Sequence, residues 1–485
     1  MMDIKQQSMT AFKWEIVGKI LNPLIFLAST VFLSRILEPE HFGQLAIIQV
    51  VTLILISLLD FGFGVVLIQK RDIDESHFSS VFWLCLVSSF VVSLLLFIFS
   101  GNISLLLFNN LELEPFLKAI PICIIISVYI NNQIFRLKKE MNFSVINISL
   151  VLSAFLSGCL AVLLAFKGFK TWSLVSQLIL NYVFQSIILF IGTKWRIKLI
   201  FSTKAIRHLW GMGRMMFLGN GLDIIYFHLD SIIIGKIFPP KTLGYYNRSK
   251  LLDSMVVNFT SGTLSFLLPA FSLLQDSKEK LKNAFIYVLH ALSAMVFLII
   301  GILYICAKDV IIIIFGYKWI NSIDFFKILI LGSYAYPIST LLVHFIISTG
   351  KSKMFIVNEI IKKFLLTIAF VIGFQYGIAG YLYSFIVLAF FGTSLNAYYA
   401  GKSIDISLFG FYKHVYKYFL IAVFLVCAFK LIDNYLILNE WSHLILVGFF
   451  YSIFYIALMH IFKLYGFTII KTEIINLIKK GRYDR

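Results

Sequence analysis

The residues able to do chemistry in this chain are the few charged groups set into apolar runs. In FHLDSIIIGKIFPPKTLG (residues 227–244), His228, Asp230 and Lys236 interrupt an otherwise apolar stretch. Asp223 and Asp230 stand seven apart, which puts both on one face of a helix, about 10.5 Å apart along its axis. Two carboxylates so placed could hold a coupling proton or Na⁺, or partner the basic groups of a cleft; the alternative is a buried ion pair that only packs. His228 points away from Asp230 and reads as a packed or interfacial histidine, as do His290 and His344. Among the basic residues, Glu359 and Lys363 are four apart and can neutralise each other, which leaves Lys362 over. Lys250 and Asp253 can pair likewise, which leaves Arg248, whose planar fork suits a diphosphate. Its alternatives are snorkelling to the interface or a salt bridge to Asp230. Lys19 either meets an anionic headgroup from the inner side or snorkels, and Arg136, beside Lys138 and Lys139, reads as a topology anchor. Asp60 in LLDFGFG precedes Gly62 and Gly64, which permit a kink or close packing, and a structural or gating role is expected there. No catalytic group, metal site or cofactor is expected beyond H⁺ or Na⁺ coupling.

The elements that must carry these groups are membrane helices. Of 485 residues, 60% are hydrophobic and 14% charged, where a soluble domain has roughly 25% charged. About fourteen apolar runs, each near the 20 residues needed to cross a bilayer, follow one another: 14–37, 42–67, 79–99, 116–137, 145–166, 171–193, 213–237, 243–268, 284–306, 325–347, 355–374, 377–399, 415–433 and 442–465. The first is too long for a cleavable signal and is expected to stay as a helix. The net charge of +18 comes with a strong bias. Loops on one side hold most of the Lys and Arg, while those on the other hold only Lys167, Lys170, Lys241, Lys308 and Lys318. Positive residues mark the inner side, so both termini are expected inside and nucleic acid is excluded as the reason for the charge. Cys85, Cys123, Cys159, Cys306 and Cys427 lie in apolar runs without a CxxC pair and read as small core hydrophobes.

The chain also repeats. Shifted by 201 residues, STVFLSRILEPEHFGQL lies over DSIIIGKIFPPKTLGYY, so that Arg35 meets Lys236, Pro39 meets Pro240 and Gly43 meets Gly244. Both copies rise to the outer face, carry a basic anchor, turn through Pro and re-enter after Gly. Helices 1 and 7 run the same way, so the repeat is parallel. The expected architecture is all-α: an N-terminal lobe of six helices (1–193), a basic inner linker lying on the anionic leaflet (194–212), a second lobe of six (213–401), and two further helices with a basic tail (402–485). Two lobes that rock about a midplane site suit a transporter. The competing class, an outer-face glycan polymerase or transferase, would rest on Glu38, Glu40, Glu112 and Glu114, but the outer loops are short. Tyr245, Tyr246, Tyr334, Tyr336, Tyr381 and Tyr383 could stack on sugars, though interfacial belts use the same residues.

The stretches SRILEPEHFGQLA, DFGFGVVLIQKRDIDESHFSSVFW, LDSIIIGKIFPPKTLGYYNRSKLL and LPAFSLLQDSKEKL resemble the Wzx-type polysaccharide flippases of the multidrug/oligosaccharidyl-lipid/polysaccharide exporter superfamily, the WzxC-like branch most closely. The resemblance runs from about Met1 to Gly401. It implies twelve core helices plus two, and translocation of undecaprenyl-diphosphate-linked oligosaccharides from the cytoplasmic to the periplasmic leaflet of a bacterial inner membrane, for O-antigen, capsule or exopolysaccharide assembly. A polysaccharide polymerase and chain-length machinery would act downstream. Within the superfamily the alternatives are export of a drug or of lipid II. A lipid diphosphate carries about two negative charges and needs basic partners at membrane depth. An inside-negative potential already favours its outward movement by about 2.3 kcal/mol per charge per 100 mV, so ion coupling is not required energetically.

Overall fold

The computed structural model describes residues 4–262, 264, 267–274, 277–348, 352–433, 438–469 and 471–472. They form two compact units, Met1–Asn247 and Arg248–Arg485. The first contains α1 (Ile4–Ile36), α2 (Pro39–Leu59), α3 (Phe63–Gln69), α4 (Glu75–Phe108), α5 (Glu114–Leu117), α6 (Pro121–Lys139), α7 (Phe143–Phe166), α8 (Thr171–Gly192), α9 (Thr203–Ile237) and the first residues of α10 (Pro240–Gly262). The second holds the remainder of α10, then α11 (Leu267–Leu273), α12 (Lys278–Ile305), α13 (Ala307–Phe315), α14 (Ser322–Gly332), α15 (Ala335–Ser348), α16 (Ser352–Gln375), α17 (Gly377–Ile404), α18 (Leu408–Asp433) and α19 (Glu440–Ile461).

The described residues of every apolar run fall on one of these helices or on a closely spaced pair. Among the described residues, ten segments are long and apolar enough to cross a membrane, and an eleventh is the pair Leu111–Leu117 and Pro121–Lys139, bent by 41°. The protein is a multi-pass membrane protein. Its helices turn apolar side chains outward, as lipid requires. On α4, Ser89, Ser93, Ser100 and Ser104 are buried, whereas Phe90, Leu94, Phe97 and Ile98 are exposed. Two of these serines are satisfied within the helix: Ser89 and Ser100 donate back to the carbonyls of Leu86 and Phe97. On α7 the small residues Ser149, Ser153, Ser157 and Gly158 form the buried stripe, which lets α1 and α8 approach closely. A Cβ on Gly158 would lie 2.9 Å from the Cβ of Ser29 on α1.

Two local features differ from the sequence expectation. The stretch 194–212 is not one amphipathic linker. Residues 203–212 are already the first turns of the 35-residue helix α9, begun by the Ser202 side chain accepting from the Ala205 amide. The non-helical part is fixed to the first unit: Trp83 Nε1 donates to the Lys198 carbonyl at 3.0 Å, the Ser202 amide donates to Ser80 Oγ at 2.8 Å, and the Arg136 guanidinium lies 4.7 Å from the Trp195 ring centre. Arg136 is thus part of a fastening and not a topology anchor alone. The cysteines also divide: Cys85, Cys123 and Cys306 are buried, whereas Cys159 and Cys427 are exposed on the outer faces of their helices.

α4 starts with a capping box. Asp74 accepts from the amides of Ser76 and His77, and the His77 ring accepts from the Asp74 amide. The Ser76 and His77 hydrogen bonds hold the Asp74 carboxyl below the usual carboxylate range. The stabilisation is therefore present above about pH 4 and is lost as pH falls toward the depressed value. Asp74→Ala should cost about 1 kcal/mol, read as a lowered thermal midpoint in detergent, with Asp74→Asn retaining most of it.

Candidate functional site

The two copies of the Pro/Gly turn meet each other. A Cβ placed on Gly43 would lie 1.7 Å from the Pro240 carbonyl oxygen and 3.1 Å from the Gly244 amide nitrogen. One placed on Gly244 would lie 1.9 Å from the Pro39 carbonyl oxygen and 3.3 Å from the Gly43 nitrogen. Residue i touches j and j touches i, which is the signature of a two-fold axis. Only glycine lets the two backbones come so close. Arg35 and Lys236, the matched basic residues, are both exposed, as anchors at a helix end should be.

Asp230 sits one turn and a half below Lys236, buried at 5% exposure. Its carboxylate accepts from the Ser231 amide at 2.6 Å, from Ser231 Oγ at 3.3 Å, and from the Tyr246 hydroxyl of α10. Asp223 does not share this environment. It is exposed, because α9 is packed near Asp230, Ser231, Ile234 and Gly235 but open around Leu222 and Phe227. The two carboxylates therefore share a stripe but differ in burial. Tyr246 is fully buried and serves Asp230, a pairing that no spacing rule within one helix could reveal.

At the other end of the same unit, LLDFGFG breaks a helix. Asp60 caps α2, Phe61 and Gly62 take left-handed backbone (φ 50° and 70°), and α3 begins at Phe63. A Cβ on Gly62 would lie 2.3 Å from the Gly213 carbonyl oxygen, and one on Gly64 would lie 2.3 Å from the Phe135 ring. The glycines thus provide both the kink and the close packing, of α3 on α9 and on α6. Asp60 opens into a recess with Ser127, Asn131, Asn132, Phe135 and Cys85. Lys139 fastens the end of α3, donating to the carbonyls of Leu67 at 3.0 Å and Lys70 at 2.9 Å.

In the second unit, Arg248 is buried at 4% exposure, which removes the snorkelling alternative. Asp253 on the same helix accepts from Ser333 Oγ, so its environment involves more than Lys250. On α16, Glu359 holds Lys362, three residues on, in a salt bridge. Lys362 is therefore not the residue left over, because i,i+3 neighbours share a helix face as well as i,i+4 neighbours do. Beside it, Asn358 Nδ2 donates to Asn396 Oδ1 of α17, both fully buried. His290 is also more than a packed ring: Nδ1 lies 2.8 Å from the Tyr418 hydroxyl and Nε2 lies 3.0 Å from His414 Nδ1. Lys19 lies in α1, but its side chain is outside the described residues.

The family described as "Polysaccharide biosynthesis protein" matches residues 32–324, more than half of the chain. The chain belongs to that family. This stretch contains both Pro/Gly turns, Asp60, Asp230 and Arg248, and it bears out the resemblance to Wzx-type flippases read from the same segments. The chain is 25% identical over 413 residues to the lipopolysaccharide biosynthesis protein WzxC of Escherichia coli (strain K12), covering 81% of each. It is 25% identical over 365 residues to the putative O-antigen transporter of Shigella flexneri, covering 70% of this chain and 85% of that one. In fold it is similar to an inward closed conformation of the lipid II flippase MurJ, with TM-score 0.73 at 14% identity over 93% of this chain and 99% of that one. An inward-facing multidrug MATE transporter gives TM-score 0.61 at 15% identity, over 81% and 99%. Of the carboxylates considered for catalysis, Glu112 accepts from Gln44 in a polar chain through Thr171 to His41.

Proposed function

We propose that this protein flips undecaprenyl-diphosphate-linked oligosaccharides from the cytoplasmic to the periplasmic leaflet of a bacterial inner membrane by alternating access, supplying O-antigen, capsule or exopolysaccharide assembly. The observation that carries this reading is membership of the polysaccharide biosynthesis family across the stretch that contains the turns and the buried charges. The chemistry agrees with it. A diphosphate crossing hydrocarbon needs a basic partner at depth, and Arg248 is an arginine held away from water. The bias of Lys and Arg supports N-in, C-in topology, with the Pro/Gly turns on the periplasmic side.

The test is periplasmic exposure of the lipid-linked glycan in cells lacking their own flippase and carrying this gene with its glycosyltransferases. Arg248→Ala should reduce exposure at least tenfold, while Arg248→Lys, which keeps the charge but loses the fork, should retain a measurable part. Full exposure in the Ala variant would remove Arg248 from substrate contact. No exposure with the unaltered protein, together with rescue of lipid II export, would shift the substrate to the peptidoglycan precursor.

A further inference from the structure

The second unit contains a further cluster of ionisable groups and a thiol. Cys306 closes α12 and precedes α13, Asp309 lies in the first turn of α13, Asp433 ends α18, and His443 lies in the first turn of α19. Cys306, Asp309 and His443 are buried at 0%, 5% and 7% exposure, far from typical for two ionisable groups beside a thiol. One ligand atom from each, the Cys306 sulfur, an Asp309 oxygen and a His443 ring nitrogen, lies within 4.8 Å of the other two. In the sequence Cys306 reads as a small hydrophobe because His443, which completes the cluster, comes from a segment more than a hundred residues away.

The histidine is oriented as a ligand would be. Nδ1 faces Asp309 Oδ2 at 2.6 Å, and Nε2 faces Asp433 Oδ1 at 2.7 Å. A metal-binding imidazole characteristically donates its other N–H to a carboxylate, which fixes the ring and raises its basicity. Asp433, half exposed, occupies that outer position. The inner nitrogen, Nδ1, faces Asp309, which with the Cys306 sulfur completes the triangle of ligand atoms. A chain of Asp, His and Asp would account for the hydrogen bonds by itself, but not for a fully buried thiol at its focus.

The geometry points to a Zn²⁺ site formed by Cys306, Asp309 and His443, with Asp433 orienting the histidine and a fourth position left for water. Ligand distances of about 2.3 Å for sulfur and about 2.0–2.2 Å for nitrogen and oxygen fit a triangle of this size after small rotamer changes. Binding releases two protons, one from the thiol and one from the Asp309–His443 pair, whose shared proton gives way to the ion. The site would tie α13 to α18 and α19, which follow it by more than ninety residues in the second unit. It is independent of what the protein transports.

The test uses the full-length protein in detergent, purified without a histidine tag and with Cys159 and Cys427 changed to alanine to remove the exposed thiols. Zn²⁺ alone, competed against a chromogenic chelator, should bind at one equivalent. Co²⁺ in its place should give the near-ultraviolet thiolate charge-transfer band. Cys306→Ser should abolish that band and Asp433→Asn should weaken Zn²⁺ affinity 10- to 100-fold, with both variants eluting as the parent does. Zn²⁺ should raise the thermal midpoint of the parent and not of Cys306→Ser. Absence of stoichiometric binding, or binding and a cobalt band unchanged in Cys306→Ser and His443→Gln, would overturn the site and leave a hydrogen-bonded triad.

Discussion

Gly43→Ala and Gly244→Ala should each abolish or strongly depress glycan display, and each should lower the thermal midpoint of the purified protein. The new methyl has nowhere to go: it would sit 1.7 Å from the Pro240 carbonyl oxygen in one case and 1.9 Å from the Pro39 carbonyl oxygen in the other. Ordinary contact needs about 3.4 Å, and the obstacle is backbone, which cannot rotate aside as a side chain can. The two turns must separate by more than an ångström. Overpacking of this kind costs about 1–3 kcal/mol and sometimes more. The double variant tests the reciprocity. Once the first methyl has forced the turns apart, the second enters space already opened, so the two losses should sum to more than the double variant shows. Strictly additive losses would mean that the turns relax independently. As a control, Gly211→Ala should be nearly silent, since a Cβ there has nothing within 4 Å.

That contact also shows how far the sequence could be read. The repeat was visible because Pro and Gly mark turns in one dimension, and a 201-residue offset aligned both without a gap. The helices were visible because hydrocarbon thickness imposes a length on each apolar run. Asp60 stood out for the same reason: FGFG supplies the left-handed backbone that ends α2 and begins α3. What lay out of reach was pairing between helices. Spacing within one helix left Lys362 over, but it is held by Glu359, three residues before it. Spacing put Asp223 and Asp230 on one stripe, but burial varies along a helix according to its neighbours, and α9 is covered at one carboxylate and open at the other. Tyr246 and Cys306 were grouped by type, as belt aromatic and core thiol, because their partners are set by the fold alone.

Asp230 and Tyr246 should prove to be one functional unit. The carboxylate is buried, and the Tyr246 hydroxyl is among its donors, with the Ser231 amide and hydroxyl. A hydrogen bond to a charged group contributes about 1.5–3 kcal/mol, and more of that is lost when the buried charge stays behind than when both partners go. Tyr246→Phe should therefore destabilise the protein by about 2 kcal/mol. Asp230→Asn, which keeps the shape and one acceptor oxygen but removes the charge, should cost less. In the double variant the loss should fall short of the sum, because the neutral amide no longer needs the hydroxyl. Transport separates packing from coupling. If Asp230 carries the coupling proton or Na⁺, uptake by inverted vesicles containing Asp230→Asn should persist under a membrane potential, which alone drives an anion outward, yet lose its response to an imposed ion gradient. Tyr246→Phe should keep that response and shift only its dependence on ion concentration, since the carboxylate remains. An Asp230→Asn variant with the parental response to the gradient would confine the pair to holding α9 against α10, next to a turn where two glycines fix how closely α2 and α10 approach.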